Sequence, residues 1–253
     1  MNAARSSSKQ SKMRLDVALV ERGVAETLHR AQALIMAGKA RVDGQPATKP
    51  GEKVAADARI EISGAEMKFA SRAGRKLEGA LDDFGVDVRG FVCLDVGASN
   101  GGFTDCLLQR GARRVYAVDV NTAQLDWKLQ RDARVVAVKK NARYLKPEDT
   151  GEAVDLVAMD VSFISVAKLI AAAVALAKRG AVFFILVKPQ FELPKKLVGM
   201  GGIVRDAALH ERAIASVRVA AERAGLAIVG VRPSRVAGAE GNQEYFLHAR
   251  LSG

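Results

Sequence analysis

The sequence has 253 residues, 49% of them hydrophobic, which is enough for one large domain, or for a medium and a small one, with a buried core. This composition excludes a chain that is disordered overall. Lys and Arg number 39 against 28 Asp and Glu, a net charge of +11, which indicates a polyanionic partner such as nucleic acid or an anionic surface; a solvated basic surface is the alternative.

The chain shows no pattern typical of secretion or of membrane insertion. Residues 1–12 are polar and basic, which predicts a flexible basic tail rather than a signal peptide. The longest apolar run, residues 169–177, is too short to cross a bilayer. Cys93 and Cys106 fit small core residues better than a disulfide or a metal site. We therefore expect a cytoplasmic protein without a metal ion and without a membrane partner.

Two short helices and several strands are predicted in residues 13–63. The first helix ends near Gly23, and Thr27 is a candidate N-cap of a second helix that ends at Gly38. A strand is predicted to run into a turn at Asp43 and Gly44, and residues 59–62 alternate like a further strand. The pattern indicates a compact module.

This module resembles the small RNA-binding domain named after ribosomal protein S4. The resemblance is carried by Arg14-Leu15-Asp16, Arg22-Gly23, Ala33-Leu34-Ile35 and Lys49-Pro50-Gly51. It implies two helices that present basic side chains to structured RNA, although His29 stands where the family usually has Ser. Charge alone leaves open a helical pair with solvated charges. The implied RNA-binding residues are Arg14, Arg22, Arg30, Lys39 and Arg41.

A linker is predicted at 64–70, and a second domain at 71–253. Ser71 is a candidate N-cap of a helix on which Arg72 and Lys76 share one face. Cations in a first helical turn oppose the helix dipole, so a bound anion would explain them; a basic exposed face is the alternative. We include Arg72 and Arg75 among the candidate RNA contacts.

A glycine-rich turn follows the first predicted strand of this second domain. Residues 92–96 are apolar and short, which favours a buried strand, and residues 103–111 form a predicted helix that ends at a glycine. Between them, Gly97, Gly101 and Gly102 allow the backbone to turn sharply and to approach a ligand closely. A strand, a glycine turn and a helix hold nucleotide-like ligands at the carboxyl edge of a parallel sheet.

Strands and helices alternate over residues 91–250, which predicts a layered α/β domain with a mostly parallel sheet. A glycine-containing loop at 195–206 is predicted to be mobile and to cover the site. Further predicted strands lie at 114–119, 135–138, 154–160, 181–187, 226–231 and 244–250, with helices at 165–179 and 207–224.

Acidic residues end two of these strands, at Asp119 and Asp160. Asp119 at the end of the second strand can accept hydrogen bonds from both ribose hydroxyls of an adenosine, and its charge argues against a 2′-phosphate. The turn is not the G-x-G-x-x-G of dinucleotide enzymes; together with Asp95 and Asp160 it resembles the site of S-adenosylmethionine-dependent methyltransferases, with their Rossmann-like fold and seven-stranded, mostly parallel sheet. The implied cofactor-binding residues are Asp95, Gly97, Ala98, Ser99, Asn100, Gly101, Gly102, Phe103, Asp119, Val120, Asn141 and Asp160.

A set of four charged residues resembles the catalytic residues of FtsJ-type ribose 2′-O-methyltransferases: Lys76, Asp160, Lys188 and Glu244. The surrounding Ser71-Arg72-Ala73, Val187-Lys188-Pro189 and Glu244-Tyr245 match the same family. With the N-terminal module, the chain from 13 to 250 resembles the hemolysin A (TlyA) family. That resemblance implies methylation of ribosomal RNA, free or in assembled ribosomal subunits, and we expect a monomer.

The chemistry that the resemblance implies requires a group that activates a weakly nucleophilic hydroxyl. A lysine can do so if burial or a neighbouring cation destabilises its ammonium form. We expect Lys188 to activate the hydroxyl and Lys76 to position the substrate, each repelling the other's charge. Asp160 and Glu244 would orient the amines. For any one residue alone, a surface ion pair is the alternative.

Two other functions remain open from sequence. A non-catalytic RNA-binding or ribosome-assembly protein could keep a cofactor-shaped fold, and it would bind no S-adenosylmethionine. A membrane-active hemolysin, which the family name suggests, has little support from the apolar pattern.

Overall fold

The computed structural model describes residues 12–25, 27–62, 68–238 and 240–252. The chain divides between residues 66 and 67 into two compact units. The predicted tail at 1–12 lies outside the described residues except for Lys12, and of the predicted linker only 68–70 is described. The domain boundaries given above remain predictions.

The N-terminal unit is built from two helices and short antiparallel strands. Its described elements are β1 (Lys12–Arg14), α1 (Leu15–Glu21), α2 (Leu28–Met36), β2 (Ala40–Val42), β3 (Gln45–Ala47), β4 (Lys53–Ala55) and β5 (Ile60–Ile62). Strand β1 pairs with β4, and β2 lies between β3 and β5. Leu15, Leu19 and Ile35 are fully buried between these layers.

Two local predictions in this unit are confirmed. The Thr27 hydroxyl accepts a hydrogen bond from the backbone N–H of Arg30 at 3.2 Å and so caps α2. Asp43 and Gly44 both have positive φ, 48° and 81°, and join β2 to β3. Such a pair of left-handed residues matches the twist of a hairpin, which is why an Asp-Gly pair suits the position.

The C-terminal unit contains one seven-stranded sheet with helices around it. Its longer elements are α3 (Ala73–Phe84), β6 (Val92–Val96), α4 (Gly102–Gln109), β7 (Arg114–Asp119), α5 (Trp127–Gln130), β8 (Val135–Lys139), β9 (Val154–Met159), α6 (Ile170–Val174), β10 (Ala177–Val187), α7 (Pro189–Glu192), α8 (Ala207–Arg223), β11 (Leu226–Pro233) and β12 (Tyr245–Leu251). The strand order is β11-β12-β10-β9-β6-β7-β8. Strand β12 runs antiparallel to both of its neighbours and the other pairs are parallel, which confirms the predicted fold class.

Both faces of this sheet are covered, so its central strands are apolar on both sides. On β6, Leu94 and Val96 face one apolar cluster and Cys93 faces the other. On β10, Phe183 and Phe184 divide in the same way. This is the pattern of a parallel sheet between two helical layers.

The strand order reverses at β6. From β6 the chain proceeds outward through β7 to β8, and then returns to the other side of β6 as β9. Ligands of open α/β sheets bind at the carboxyl ends of the strands next to such a reversal. The carboxyl ends of β6, β7, β9 and β10 meet at this edge, where the predicted site residues follow them.

The predicted continuous helix at 165–179 is wrong in its continuity and in its end. A single 3₁₀ turn (Val166–Lys168) and the short α6 replace it, and β10 begins at Ala177 rather than at 181. The backbone of this segment pairs with β9, since the Leu176 carbonyl accepts from the Val154 N–H at 2.9 Å. The alanines at 171–173 are helical, and pairing with the neighbouring strand takes over only from Ala177 onward.

The predicted N-cap at Ser71 is wrong by one position. Arg72 precedes the first residue of α3, and the Ser71 hydroxyl accepts a hydrogen bond from the Ala73 N–H at 3.3 Å. Ser71 packs so closely on the start of α4 that a Cβ on Gly102 would lie 2.2 Å from its hydroxyl oxygen. The serine therefore joins the starts of two helices.

Candidate active site

The glycine turn between β6 and α4 is shaped by contacts with the protein itself. Gly97 and Gly101 have φ of 87° and 90°, which side chains rarely tolerate. A Cβ on Gly97 would lie 2.2 Å from the Asp160 carbonyl oxygen, and one on Gly101 would lie 2.2 Å from Leu129. The turn is therefore held against the end of β9 and against α5, in addition to any approach to a ligand.

The predicted cofactor-binding residues lie together at the carboxyl edge. In the turn, Ala98, Gly102 and Phe103 are buried and Ser99 is exposed, while Val120 and Asn141 are exposed just after β7 and β8. Asp119 ends β7, and its two carboxylate oxygens accept hydrogen bonds from the backbone N–H groups of Ser99 and Asn121, each at 2.9 Å. The carboxylate thus joins the glycine turn to the segment that follows β7.

Asp95 is fully buried and supports the start of α4. One carboxylate oxygen accepts hydrogen bonds from the Thr104 N–H at 2.9 Å and from the Thr104 hydroxyl at 2.7 Å. The other has no hydrogen-bond partner among the described residues. Burial, together with the charges of Asp160 and Asp119, outweighs the Thr104 hydrogen bonds and raises the pKa of Asp95 to about 7. The sequence did not indicate this capping role.

A buried ion pair joins the first turn of α3 to the start of β12. The Lys76 ammonium donates to the Glu244 carboxylate at 2.6 Å, and the two side chains are only 4% and 2% exposed. Arg72, also buried, donates to the Ala237 carbonyl at 3.2 Å, whereas Arg75 is exposed. The cations that oppose the helix dipole therefore meet protein oxygens, and a bound anion is not needed to explain them.

A second ion pair joins the ends of β9 and β10. The Lys188 ammonium lies 2.5 Å from the Asp160 carboxylate and donates to the Ser162 hydroxyl at 3.0 Å. Burial opposes the charge of Lys188, but the carboxylates of Asp160 and Glu244 outweigh it and raise the pKa of this lysine. The expectation of a destabilised ammonium is wrong for the free protein, because the neighbouring anions dominate.

The two ion pairs form one electrostatic cluster. Burial disfavours the Asp160 carboxylate, yet the charges of Lys188 and Lys76 outweigh it and lower its pKa. The charge of the Glu244 carboxylate in turn raises the pKa of Lys188. Tyr245 pairs with Val187 across β10 and β12, which brings Glu244 to the same sheet edge as Lys188.

An exposed aromatic side chain beside this cluster did not enter the sequence prediction. Phe163 is 93% exposed and has a φ of 66°, and its ring centroid lies 5.4 Å from that of Phe191. A non-glycine residue in the left-handed region is uncommon and costs free energy. A phenylalanine three residues after a strand-end aspartate is a signal that could have identified it.

Glu192 connects the two loops that carry Asp160 and Lys188. Its carboxylate accepts hydrogen bonds from the Ser165 hydroxyl at 2.5 Å and from the Val166 N–H at 2.8 Å. Burial outweighs these hydrogen bonds and raises the pKa of Glu192. The sequence did not indicate this link, because its partners lie 26 and 27 residues away.

Of the predicted RNA-binding residues of the N-terminal unit, some make hydrogen bonds within the protein and others are exposed. Arg14 makes two hydrogen bonds to Asp16, at 2.9 and 2.7 Å, and Arg41 donates to the Gly44 carbonyl at 3.2 Å. Arg30 and Lys39 are exposed on and after α2. Arg22 instead donates to two backbone carbonyls of the loop after β4.

Arg22 therefore has a structural role that the sequence did not predict. Its guanidinium donates to the carbonyls of Ala58 and Ala56 at 2.5 and 2.8 Å. Burial outweighs the nearby charges of Asp43 and Asp57 and lowers its pKa.

Within the described ranges, no group of three or more His, Cys, Asp or Glu side chains is arranged to hold a metal ion. None of the described helices combines the length and the apolar character that a bilayer span requires.

Two family models match the chain: the FtsJ-like methyltransferase model over residues 69–251 and the S4 domain model over residues 13–60. The chain is 47% identical over 239 residues to the 16S/23S rRNA (cytidine-2'-O)-methyltransferase TlyA of Mycobacterium tuberculosis, covering 94% of this chain and 89% of the relative. It is 40% identical to Hemolysin A of Brachyspira hyodysenteriae, covering 93% and 99%. A solved structure from Streptococcus thermophilus, named as a hemolysin, superposes with a TM-score of 0.82 at 38% identity, over 96% of this chain and 90% of that one. The chain therefore belongs to the TlyA family, FtsJ-like methyltransferases that carry an S4 domain.

Proposed function

We propose that this chain transfers a methyl group from S-adenosylmethionine to a ribose 2′-hydroxyl of ribosomal RNA. The observation that carries the proposal is a cluster of two ion pairs, the buried Lys76–Glu244 and the largely buried Lys188–Asp160, beside a glycine turn at the carboxyl edge of the sheet. The name of the Mycobacterium tuberculosis relative supports a cytidine as the target.

The residues around the glycine turn fit S-adenosylmethionine. Each oxygen of Asp119 accepts one backbone N–H and keeps a lone pair for a ribose hydroxyl. The exposed Val120 offers an apolar surface next to it for the adenine.

In the proposed reaction, Lys188 is the group that takes the proton of the 2′-hydroxyl at its Nζ. Bound S-adenosylmethionine supplies the methyl electrophile and a sulfonium charge, which disfavours a second cation nearby. Asp160 and Ser162 hold the Lys188 amine in position. Lys76, fixed by Glu244, positions the substrate, because most of the rate gain in such a transfer comes from alignment.

Phe163 and Phe191 offer an aromatic surface to the base of the target nucleotide. Stacking of a base on an aromatic side chain is worth about 1–3 kcal/mol. A nucleotide whose base leaves its stack in the RNA would present its ribose to the Lys188 amine. This arrangement accounts for the exposed and strained Phe163.

The N-terminal unit supports structured RNA as the substrate. Arg30, Lys39 and Arg41 present exposed cations on and after α2, and the S4 model matches residues 13–60. RNA helices are recognised mostly through their shape and backbone, for which such cations are suited. We expect a monomer that acts in the cytoplasm on ribosomal RNA or on assembled ribosomal subunits.

Mass-spectrometric mapping of ribose methylation tests the proposal. Purified 16S and 23S rRNA and each ribosomal subunit are incubated with the protein, with and without S-adenosylmethionine. We expect cofactor-dependent methylation of a cytidine ribose in at least one of these substrates. Methylation of a base, or none in any substrate, would contradict the proposal. Calorimetric titration that detects no S-adenosylmethionine binding, even with RNA present, would favour a non-catalytic RNA-binding protein.

A further inference from the structure

A single aromatic side chain flanked by cations protrudes from the segment between β7 and β8. Trp127 is the only tryptophan in the chain and is 60% exposed at the start of α5. The Lys128 ammonium lies 5.9 Å, and the Arg131 guanidinium 5.4 Å, from the centre of its ring. Both distances are within the range of a cation–π contact.

The helix cap and a buried leucine direct this tryptophan toward solvent. Asp126 caps α5 by accepting a hydrogen bond from the Lys128 N–H at 2.9 Å. Leu129, two residues after Trp127 and so on the opposite side of the helix, is buried. Burying the leucine side of so short a helix turns the tryptophan side outward.

The same segment is attached to the glycine turn of the candidate active site. The Asp126 N–H donates to the Asn100 carbonyl at 3.1 Å. Leu125 and Leu129 pack on Gly101, where a Cβ would lie 3.1 and 2.2 Å from their side chains. Trp127 therefore lies at the carboxyl edge of the sheet, the edge at which the ion-pair cluster is found.

The charge around Trp127 suits a polyanion. Residues 120–150 contain seven Lys and Arg against four Asp and Glu. Two of these acids are already paired, Asp132 with Arg134 and Asp149 with Lys140. This leaves Lys128 and Arg131 on a surface with an excess of positive charge, beside a large aromatic face.

We infer that Trp127, Lys128 and Arg131 form an RNA contact of the methyltransferase unit, in which an unpaired base of the substrate stacks on the indole and the two cations contact adjacent phosphates. The inference rests on the proposed function for the identity of the substrate. Aromatic faces combined with cations are how proteins bind single-stranded nucleic acid, because every base offers a π-face. The contact holds a nucleotide other than the one whose ribose is methylated.

Because the chain has one tryptophan, its fluorescence reports on this site directly. The protein is first saturated with S-adenosylhomocysteine, and then titrated with protein-free 23S rRNA or with a short single-stranded RNA. We expect quenching of the tryptophan by RNA and a loss of its accessibility to acrylamide. Binding is followed in parallel by the anisotropy of labelled RNA.

Substitutions distinguish the contribution of base stacking on Trp127 from the contribution of the neighbouring positive charge to RNA binding. Trp127→Leu should raise the KM for RNA about tenfold with little change in kcat, and Trp127→Phe should restore most of the affinity. Arg131→Gln should make binding less dependent on salt, by about 0.7–0.9 in the slope of log K against log salt. Arg179→Gln is the matched control, because this exposed arginine lies near the amino end of β10, at the opposite edge of the sheet.

Three spectroscopic outcomes would overturn the inference. They are RNA binding that leaves the tryptophan spectrum unchanged, a spectral change that S-adenosylhomocysteine alone produces in full, and a tryptophan already shielded from acrylamide in the free protein. The proposed function can fail separately. If RNA quenches the Trp127 fluorescence but the protein methylates no RNA, the methyl transfer is refuted and the RNA contact is supported. Methylation by Trp127→Leu with an unchanged KM refutes the contact alone.

Discussion

Asp95 shows how a single residue of the site is placed where its charged form is unfavourable. Its carboxyl group is fully buried and has a pKa of about 7 in the folded protein. In the unfolded chain the ordinary pKa is near 3.8. The folded state therefore binds the proton more tightly, and ionisation of Asp95 destabilises the fold as the pH rises from about 4 to about 7.

Asp95→Asn should stabilise the protein at high pH. The amide keeps an oxygen acceptor for the Thr104 N–H and removes a penalty whose upper bound is on the order of 4 kcal/mol. We expect a gain of about 1–3 kcal/mol in the free energy of unfolding near pH 8 and almost none near pH 4, measured by denaturant titration. A gain that does not grow with pH would contradict the account.

Asp155→Asn is the control, because it should change the free energy of unfolding in the opposite direction. Burial disfavours the Asp155 carboxylate, but Lys178 and the Val92 N–H outweigh it and lower its pKa. A carboxylate of lowered pKa stabilises the fold at neutral pH and stops doing so in acid. Its replacement should therefore destabilise the protein near pH 7.

The raised pKa of Lys188 leads us to expect that the methyl-transfer rate depends on pH. Since neighbouring carboxylates raise its pKa, the amine is protonated at neutral pH, and a reaction that needs the free base becomes faster as the pH rises. We expect the single-turnover rate to increase between about pH 7 and about pH 9 under saturating cofactor. Asp160→Asn should move this rise to lower pH. A flat profile in the unsubstituted protein would exclude Lys188 as the base.

The residue types of the site could be predicted from sequence, and their pairing could not. The resemblance to FtsJ-type methyltransferases pointed to Lys76, Asp160, Lys188 and Glu244. Lys76 and Glu244 are 168 positions apart, so only the fold determines that they pair. The direction of the Lys188 pKa depends on which carboxylates surround it, and the sequence did not indicate that they outweigh burial.

Among the elements, short apolar runs predicted the strands of the large sheet correctly. The alanine content of residues 165–179 predicted a helix longer than the one in the structure. Each strand of the large sheet was found, because buried strands bounded by turn residues are distinct in sequence. The alanines at 171–173 lie in the short α6, whereas residues 177–179 of the predicted helix belong to β10, whose backbone pairs with β9. Backbone pairing of this kind leaves no local signal in the sequence.

The loops after β9 and β10 are coupled through Glu192, which makes it a positioning residue. Glu192→Ala should lower kcat for methyl transfer about tenfold or more, since it releases Ser165 and Val166 and thereby the loop that carries Asp160. The affinity for S-adenosylmethionine should change by less than about twofold, as calorimetry would measure.

Glu192→Gln separates positioning from a general loss of stability. Its amide oxygen can still accept one of the two hydrogen bonds, so part of the kcat should return. Glu211→Ala, at an exposed position of α8, is the control and should behave like the unsubstituted protein. A lower melting temperature with an unchanged kcat in Glu192→Ala would argue that the residue serves stability alone.

For the whole molecule, the two units and the strongly basic charge could be predicted from sequence. Which basic side chains bond within the protein and which remain exposed could not. The S4-like residues and the glycine turn indicated two separate modules. The fold then assigned Arg22 to backbone carbonyls of its own unit and left Arg30 and Lys39 exposed. A positive charge in the sequence does not distinguish these roles.

Substitutions in the N-terminal unit should therefore fall into two classes. Arg30→Ala and Lys39→Ala should each raise the KM for rRNA several-fold and leave the melting temperature unchanged, because they remove exposed charges. Arg22→Ala should destabilise its unit by about 1–3 kcal/mol, because the Ala56 and Ala58 carbonyls lose their donors. Equal melting temperatures for all three variants would contradict this division.

Methyl transfer by Lys188→Ala tests the central claim most directly. Incorporation of labelled methyl groups from S-adenosylmethionine into rRNA is measured beside calorimetric binding of the cofactor and anisotropy of labelled RNA. We expect a loss of about 100-fold or more in transfer, with both affinities within about threefold of the unsubstituted protein. Undiminished transfer by the variant would contradict it.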